Sequence, residues 1–401
     1  MSGSLPKQNS SIFFIMRLIA FSAFFIPSSY AVPETIYRSW QFLLFCVAVM
    51  FFIAVLLRGK IYLRWVLFCS FFIAYNLLSS AFSGFDAGYE TCLFNVARGI
   101  GFVSILEYGW SVDKRGYLKA FIGAGLIWCS VNFASYILFR DILGGMQRGA
   151  LEYGKSYVTS QHWFFFTHDN GTVFFYIPVM ASIFYYAERF NKRLFPLAYL
   201  FCILSELMYL DLSSTTALIA VGFFLLSCCL STNGIIRHLF SKLNGCRSFN
   251  FGLVLCAAVV VLALFGNFVG VVSNLGKAGT FSYRLSIWDN AIKWFIHAPL
   301  LGYGLESTVT AVSKLSFNHC HNLILQLLYS SGLIGFILYV ISHLFCLNVA
   351  CDSKGQFGLN IVYSAIISYF IASIFDWYVY LVLPAILFYL LIPQDGTSIN
   401  S

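Results

Sequence analysis

Charge is scarce in this chain. Of its 401 residues, 24 are Lys or Arg and 16 are Asp or Glu, 10% in all. A water-soluble domain carries about 25%. A single soluble domain cannot hide what remains, because 60% of the residues are hydrophobic. Paired cysteines are also missing. The twelve cysteines are scattered through apolar runs without CxxC spacing, which reads as buried free thiols acting as small hydrophobes. There is no internal repeat, no P-loop and no cytoplasmic domain large enough to hold a nucleotide, which argues against an ATP-driven pump. The first apolar run lacks a small-residue cleavage site, so it reads as a span and not as a signal peptide.

What is present is a series of long uncharged runs. Each needs about 20 residues to cross ~30 Å of hydrocarbon. The pattern predicts an all-α polytopic membrane protein, a single transmembrane domain over 1–401. About twelve spans are expected, at 11–27, 36–57, 65–84, 91–109, 117–139, 164–187, 194–210, 215–232, 250–272, 321–347, 359–375 and 377–392. Connectors such as "RGKIYLR", "VDKRGYLK" and "ERFNKR" hold most of the basic residues. Positive charge gathers on the cytoplasmic side, which places both termini there. The polar loops are then expected on the opposite, outer face.

Two outer segments are long enough to fold over a site: 140–163 and 273–320. The second contains "FSYRLSIWDNAIKWFIHAPLLGYG". At 100° per residue, Arg284, Trp288, Ala291, Ile292 and Phe295 share one helical face. Asp289 and Lys293 fall on the other, spaced as a solvated i,i+4 pair. Arg284 therefore sits on the apolar stripe and calls for an anion, either a ligand's or a neighbouring carboxylate. Pro299 should end that helix, with Gly302 and Gly304 making a turn.

"FNHCHNLILQLLYSSGLIG" follows, and opens the tenth span. His321 faces the packed seam of Leu325, Leu328, Gly332 and Gly335, whose glycines are expected to let helices approach closely. A neutral imidazole titrates near working pH and suits a general base. Helix capping is the bland alternative. A His-Cys-His metal site would need further ligands, and no spaced partner is evident. Other polar residues lie at similar depth. Arg98 stands about seven residues inside the fourth span, roughly 10 Å down. His168 and Asp169 precede the sixth span, Asp211, Ser214 and Thr215 form another outer turn, and Asp376 precedes the last span.

Taken together, "YRLSIWDNAIKWFIHAPLLGYG" and "HCHNLILQLLYSSGLIG" resemble the O-antigen ligase and O-antigen polymerase superfamily. The pattern is carried by Arg284, Trp288, Pro299, Gly302, Gly304, His321, Asn322, Leu325, Gly332 and Gly335. The resemblance implies a fold related to the membrane-embedded glycosyltransferases that use lipid-linked donors. It implies transfer of a glycan from undecaprenyl diphosphate to a sugar hydroxyl at the periplasmic face of a bacterial inner (cytoplasmic) membrane, with no cofactor and no metal. Partners would be that donor, a glycan or lipid A-core acceptor, membrane lipid and a chain-length regulator, with no nucleic acid. Arg284, Arg98 and Arg148 would bind diphosphate. His321, with His319 or Asp376, would serve catalysis, supported by Asn322, Trp288 and His168. One departure stands out: Thr215 occupies the place where many members carry an arginine. Three functions compete: polymerase of lipid-linked repeat units, favoured here, ligase to the lipid A core, and a lipid-linked oligosaccharide transporter or flippase.

Overall fold

The computed structural model describes residues 10–28, 31–143, 165–167, 170–231, 244–265, 278–348, 357–376 and 382–392. These are all helix, turn or loop, with no strand among the described residues. The order is α1 (Ser10–Ser22), α2 (Glu34–Leu57), α3 (Leu63–Ile73), a π-helical turn (Ala74–Leu78), α4 (Ser79–Phe82) and α5 (Tyr89–Leu143). Then come α6 (Val173–Phe190), α7 (Phe195–Asp211), α8 (Thr215–Ser231), α9 (Gly245–Phe265) and α10 (Ala278–His297). The chain continues with α11 (Thr308–Leu315), α12 (Leu323–Asn348), α13 (Phe357–Phe375) and α14 (Ala385–Leu390).

Six of the described helical stretches are long and apolar enough to cross a membrane, and shorter apolar helices cover 11–22, 215–230 and 359–375. The protein is a helical, polytopic membrane protein. The outer surface of α2 shows the solvent it expects. Phe42 is 68% and Leu57 82% exposed, which suits lipid and not water.

The 55 residues of α5 cover two of the stretches expected to span. Nineteen residues of straight helix would separate Phe102 from Phe121 by about 28 Å, yet their ring centroids are 6.3 Å apart. The element therefore folds back on itself near 110–116, giving two antiparallel arms. Gly109 permits the fold, because a Cβ there would lie 2.4 Å from the Tyr117 ring. Asp113 in the bend binds Arg17 at 2.6 Å and accepts the Gly116 N–H. Lys114 donates to the carbonyls of Leu390 and Ile392 at the end of α14. Nearby, Arg64 makes a bidentate pair with Glu107, at 2.9 and 2.6 Å, and the Tyr389 hydroxyl donates to the same carboxylate. These contacts close one end of the bundle.

At the other end, α12 is not one helix. Gly332 has φ 59° and ψ −162°, and splits it into 323–331 and 333–348. Only glycine enters that region readily. The groups freed by the break pair with the segment after α10. Tyr303 and Gly304 donate N–H to the carbonyls of Tyr329 and Ser330, at 3.0 and 2.7 Å. Leu333 and Ile334 donate to Pro299 and Leu300. The glycines expected to serve helix packing thus do something different. Gly332 breaks its helix and touches the backbone of Leu300 and Leu301, and a Cβ on Gly335 would meet Ser331 of its own helix.

Candidate active site

The inserted segment behaves as the sequence pattern expects. α10 ends at His297, and Gly302 and Gly304 take φ of 65° and 69°. Gly304 rests on Ser80, whose hydroxyl accepts the Leu305 N–H at 2.8 Å. Asp86 accepts the Ser307 N–H at 2.7 Å. That bond, with help from Thr310, holds the Asp86 carboxyl below its ordinary range. Underneath, the buried Glu306 carboxylate takes Lys314 and the Tyr329 hydroxyl. The Lys314 ammonium also lies 3.8 Å from the Tyr303 ring centroid. A scaffold of loop, α11 and broken helix results.

On that scaffold stands the N-terminus of α12. Asn322 caps it, with Oδ1 accepting the N–H groups of Ile324 and Leu325 at 3.0 and 3.3 Å. Its Nδ2 donates to Ile374 at 3.2 Å and Cys256 at 3.4 Å. One buried amide therefore ties α12 to α13 and α9. The capping role read as an alternative for His321 belongs to its neighbour.

His321 precedes the cap with φ +50°, unusual for a residue with a bulky side chain. Its N–H donates to Nδ1 of His319 at 3.1 Å. Phe317 packs on both rings, at 4.5 and 5.2 Å. Asp376, 2% exposed at the end of α13, faces the pair. Its Oδ1 lies 3.7 Å from Nδ1 of His321 and 3.9 Å from Nε2 of His319.

The backbone hydrogen bond to His319 assigns one proton. His319 Nδ1 accepts a backbone N–H, so its neutral ring carries hydrogen on Nε2, toward Asp376. His321 presents Nδ1 to the same carboxylate. A proton there leaves Nε2 as the basic atom. The ligand atoms of His319, His321 and Asp376 lie within 4.8 Å of one another, a set that could also chelate an ion. The third donor that sequence spacing did not reveal is thus Asp376. The His319 tautomer, with its hydrogen on the nitrogen aimed inward, suits proton handling better than metal ligation.

Arg284 completes the site. Its guanidinium carbon is 5.4 Å from the centroid of Phe375, the residue before Asp376. Trp288, one turn along α10, lies nearly parallel to the same ring at 6.4 Å and 12°. Both belong to the buried face that the 3.6-residue period predicts, while Asp289 and Lys293 pair in the open at 2.5 Å. Burial pulls the Arg284 pKa down, and the Asp376 carboxylate opposes the shift. A partly desolvated cation beside a histidine–aspartate pair is an arrangement for an anionic ligand next to a proton acceptor.

The remaining expected residues are not gathered in this way. Arg98 is partly buried in the first arm of α5, next to Gly99, whose missing Cβ admits the Phe72 ring. Arg148, His168 and the segment 144–164 lie outside the described residues. Thr215 opens α8 at an exposed position. Residues that sequence reading passed over are Glu306, Tyr329 and Gln326. Only Gln326 left a trace: it is a lone amide in the apolar run "LILQLL".

Residues 164–340 match the family model described as O-antigen ligase. Over that stretch, less than half of the chain, the protein is similar to O-antigen ligases. The matched stretch holds Arg284, Trp288, His319, His321 and Asn322 and stops before Asp376. No curated protein gives a significant match to the chain.

Proposed function

We propose that the protein is an inverting, metal-independent glycosyltransferase. It passes a glycan from undecaprenyl diphosphate to a sugar hydroxyl at the periplasmic face, as a polymerase of lipid-linked O-antigen repeat units. The observation that carries the reading is the placement of His321 Nδ1 against Asp376 with Arg284 alongside. In this reading His321 Nε2 takes the proton of the acceptor hydroxyl as its oxygen attacks the anomeric carbon. The bond from that carbon to the diphosphate oxygen breaks, and undecaprenyl diphosphate leaves as an anion. Such a leaving group needs charge neutralisation more than protonation. Arg284 supplies it through a bidentate fork. Asp376 holds the His321 ring and stabilises the imidazolium that forms. His319 orients the same carboxylate. Arg98 and Arg148 remain candidates for the second phosphate.

Orientation follows from charge. Arg58, Lys60, Arg64, Lys114, Arg115, Arg189, Lys192, Arg193 and Arg247 all lie toward the end of the bundle opposite the site. The excess of Lys and Arg there supports a cytoplasmic assignment for that end and a periplasmic one for the site. Twelve spans fit this topology, counting both arms of α5 and the shorter helices, as does a relation to other membrane-embedded enzymes with lipid-linked donors.

The ligase reading keeps one observation in its favour: Asp376 lies inside the site, where ligases place an acidic residue near the last span. Thr215, standing where many members have arginine, favours the polymerase. A deletion strain separates the two. One repeat unit on the core marks a lost polymerase, and bare core with accumulated lipid-linked chain marks a lost ligase. For the chemistry, purified His321→Ala protein is assayed with a lipid-linked donor. Near-normal turnover would remove His321 as the base.

A further inference from the structure

Cys320 stands between the two histidines, and both of its backbone groups are engaged. Its carbonyl accepts the Trp288 indole N–H at 2.9 Å. Its N–H donates to Oε1 of Gln326 at 2.8 Å. Gln326 is 6% exposed, and its own Nε2 donates to the Ser330 hydroxyl at 2.7 Å. The two bonds fix which way the amide points. Reversing it would set its NH₂ against the Cys320 N–H and leave a buried donor unmatched. The Ser330 carbonyl receives the Gly304 N–H, so the clamp reaches from the His-Cys-His turn to the segment docked in the helix break.

The clamp matters because of the residue that follows. His321 holds φ +50°, a conformation that persists in a bulky residue only when its surroundings over-determine it. Asn322 fixes the chain on one side of His321, and Cys320 fixes it on the other. Without the acceptor at Gln326, the Cys320 N–H loses its partner. The turn can then relax toward negative φ, which swings the imidazole away from Asp376.

We propose that Gln326 is a positioning residue for glycosyl transfer. Acting through the Cys320 N–H, it holds the His321 backbone in the left-handed conformation that sets the ring against Asp376. This rests on the reading of His321 as the base. Gln326 is buried and its amide is taken up by Cys320 and Ser330, so it acts on turnover and not on binding.

The test compares Gln326→Leu, Gln326→Glu and His321→Ala with wild type, as purified full-length proteins acting on a lipid-linked donor. Leucine keeps the bulk and removes the acceptor. Glutamate restores an acceptor for the Cys320 N–H and takes the Ser330 O–H as well. Gln326→Leu is expected to lower kcat about 10- to 100-fold, the scale of a displacement near 1 Å, with KM within about twofold. Gln326→Glu is expected to recover most of that loss. The added carboxylate favours the imidazolium, so the rising limb of its kcat–pH profile should move to higher pH. A Gln326→Leu protein with wild-type kcat, beside an inactive His321→Ala, overturns the inference. So does a glutamate variant no better than leucine, which would reduce the residue to packing. Turnover that survives His321→Ala overturns the reading underneath.

Discussion

Replacing Gly332 by alanine tests the broken helix directly. The residue sits at φ 59°, ψ −162°, where a side chain costs about 1–3 kcal/mol. A Cβ would also lie 2.4 Å from the carbonyl carbon and oxygen of Leu300 and 2.6 Å from the Leu301 nitrogen. These are backbone atoms with no rotamer to retreat to. Forcing them apart adds about 1–3 kcal/mol, the usual cost of overpacking. The total of about 2–6 kcal/mol opposes the docked state of 299–304, a shift of roughly 30-fold to 10⁴-fold at 1.4 kcal/mol per decade. Against a typical stability of about 5–15 kcal/mol, that is a large share. The assay is thermal unfolding of the purified protein together with transfer activity. Gly222→Ala serves as control, because its Cβ would meet only the movable Glu206 carboxylate at 3.1 Å. The variant should melt well below both wild type and control and lose most of its turnover. A Gly332→Ala protein that melts and transfers like wild type would show that the break is not required.

Arg284→Lys keeps the charge but loses the planar fork, and should lower kcat/KM about 10- to 100-fold. A value within twofold of wild type would argue against a bidentate phosphate contact. Asp86 has a pKa below its ordinary value near 3.8. Its contribution to anchoring Ser307 is therefore complete above that value and fades as pH falls through the depressed one. Unfolding followed from pH 6 to pH 3 should show this loss in wild type and not in Asp86→Asn, and equal slopes would refute it. Glu206 lies within α7 with one carboxylate oxygen buried and without a hydrogen-bond partner among the described residues. An intramembrane acid without a cation is costly, so Glu206→Gln should raise the melting temperature. A fall would mean that the carboxylate itself is needed.

What could be read from the sequence divides along physical lines. Arg284 and His321 were visible because a charge on an apolar stripe and an imidazole at a membrane edge are each expensive alone. Trp288 followed from the helical period, and its indole N–H indeed reaches the site turn. Asp376 was placed by its position before the last span, but nothing in the spacing showed that it faces both histidines. Gln326 was hidden because one amide among leucines is ordinary in a span. The two arms of α5 were legible as two spans, while the close Gly109–Tyr117 contact at their bend was not. Gly332 was misread because the same Gly-x-x-Gly spacing serves helix packing and helix breaking. Only the partner segment decides between them, and Pro299–Gly304 is distant from it in sequence.

The pairing of that segment with α12 also has a consequence for how the chain enters the bilayer. A helix with a gap in its hydrogen-bond ladder cannot rest in hydrocarbon by itself, because each bare backbone group costs several kcal/mol. The gap at Gly332 is filled by N–H and C=O groups of 299–304, which emerge from the translation machinery about thirty residues earlier. Residues 298–334 therefore have to reach the membrane as one unit. During synthesis the earlier segment is made before the complement it pairs with. This stretch should be the step of biogenesis most sensitive to slowed elongation and to insertions between α10 and α12. The same unit carries both histidines, so the chemistry of the site is assembled only when insertion there has succeeded.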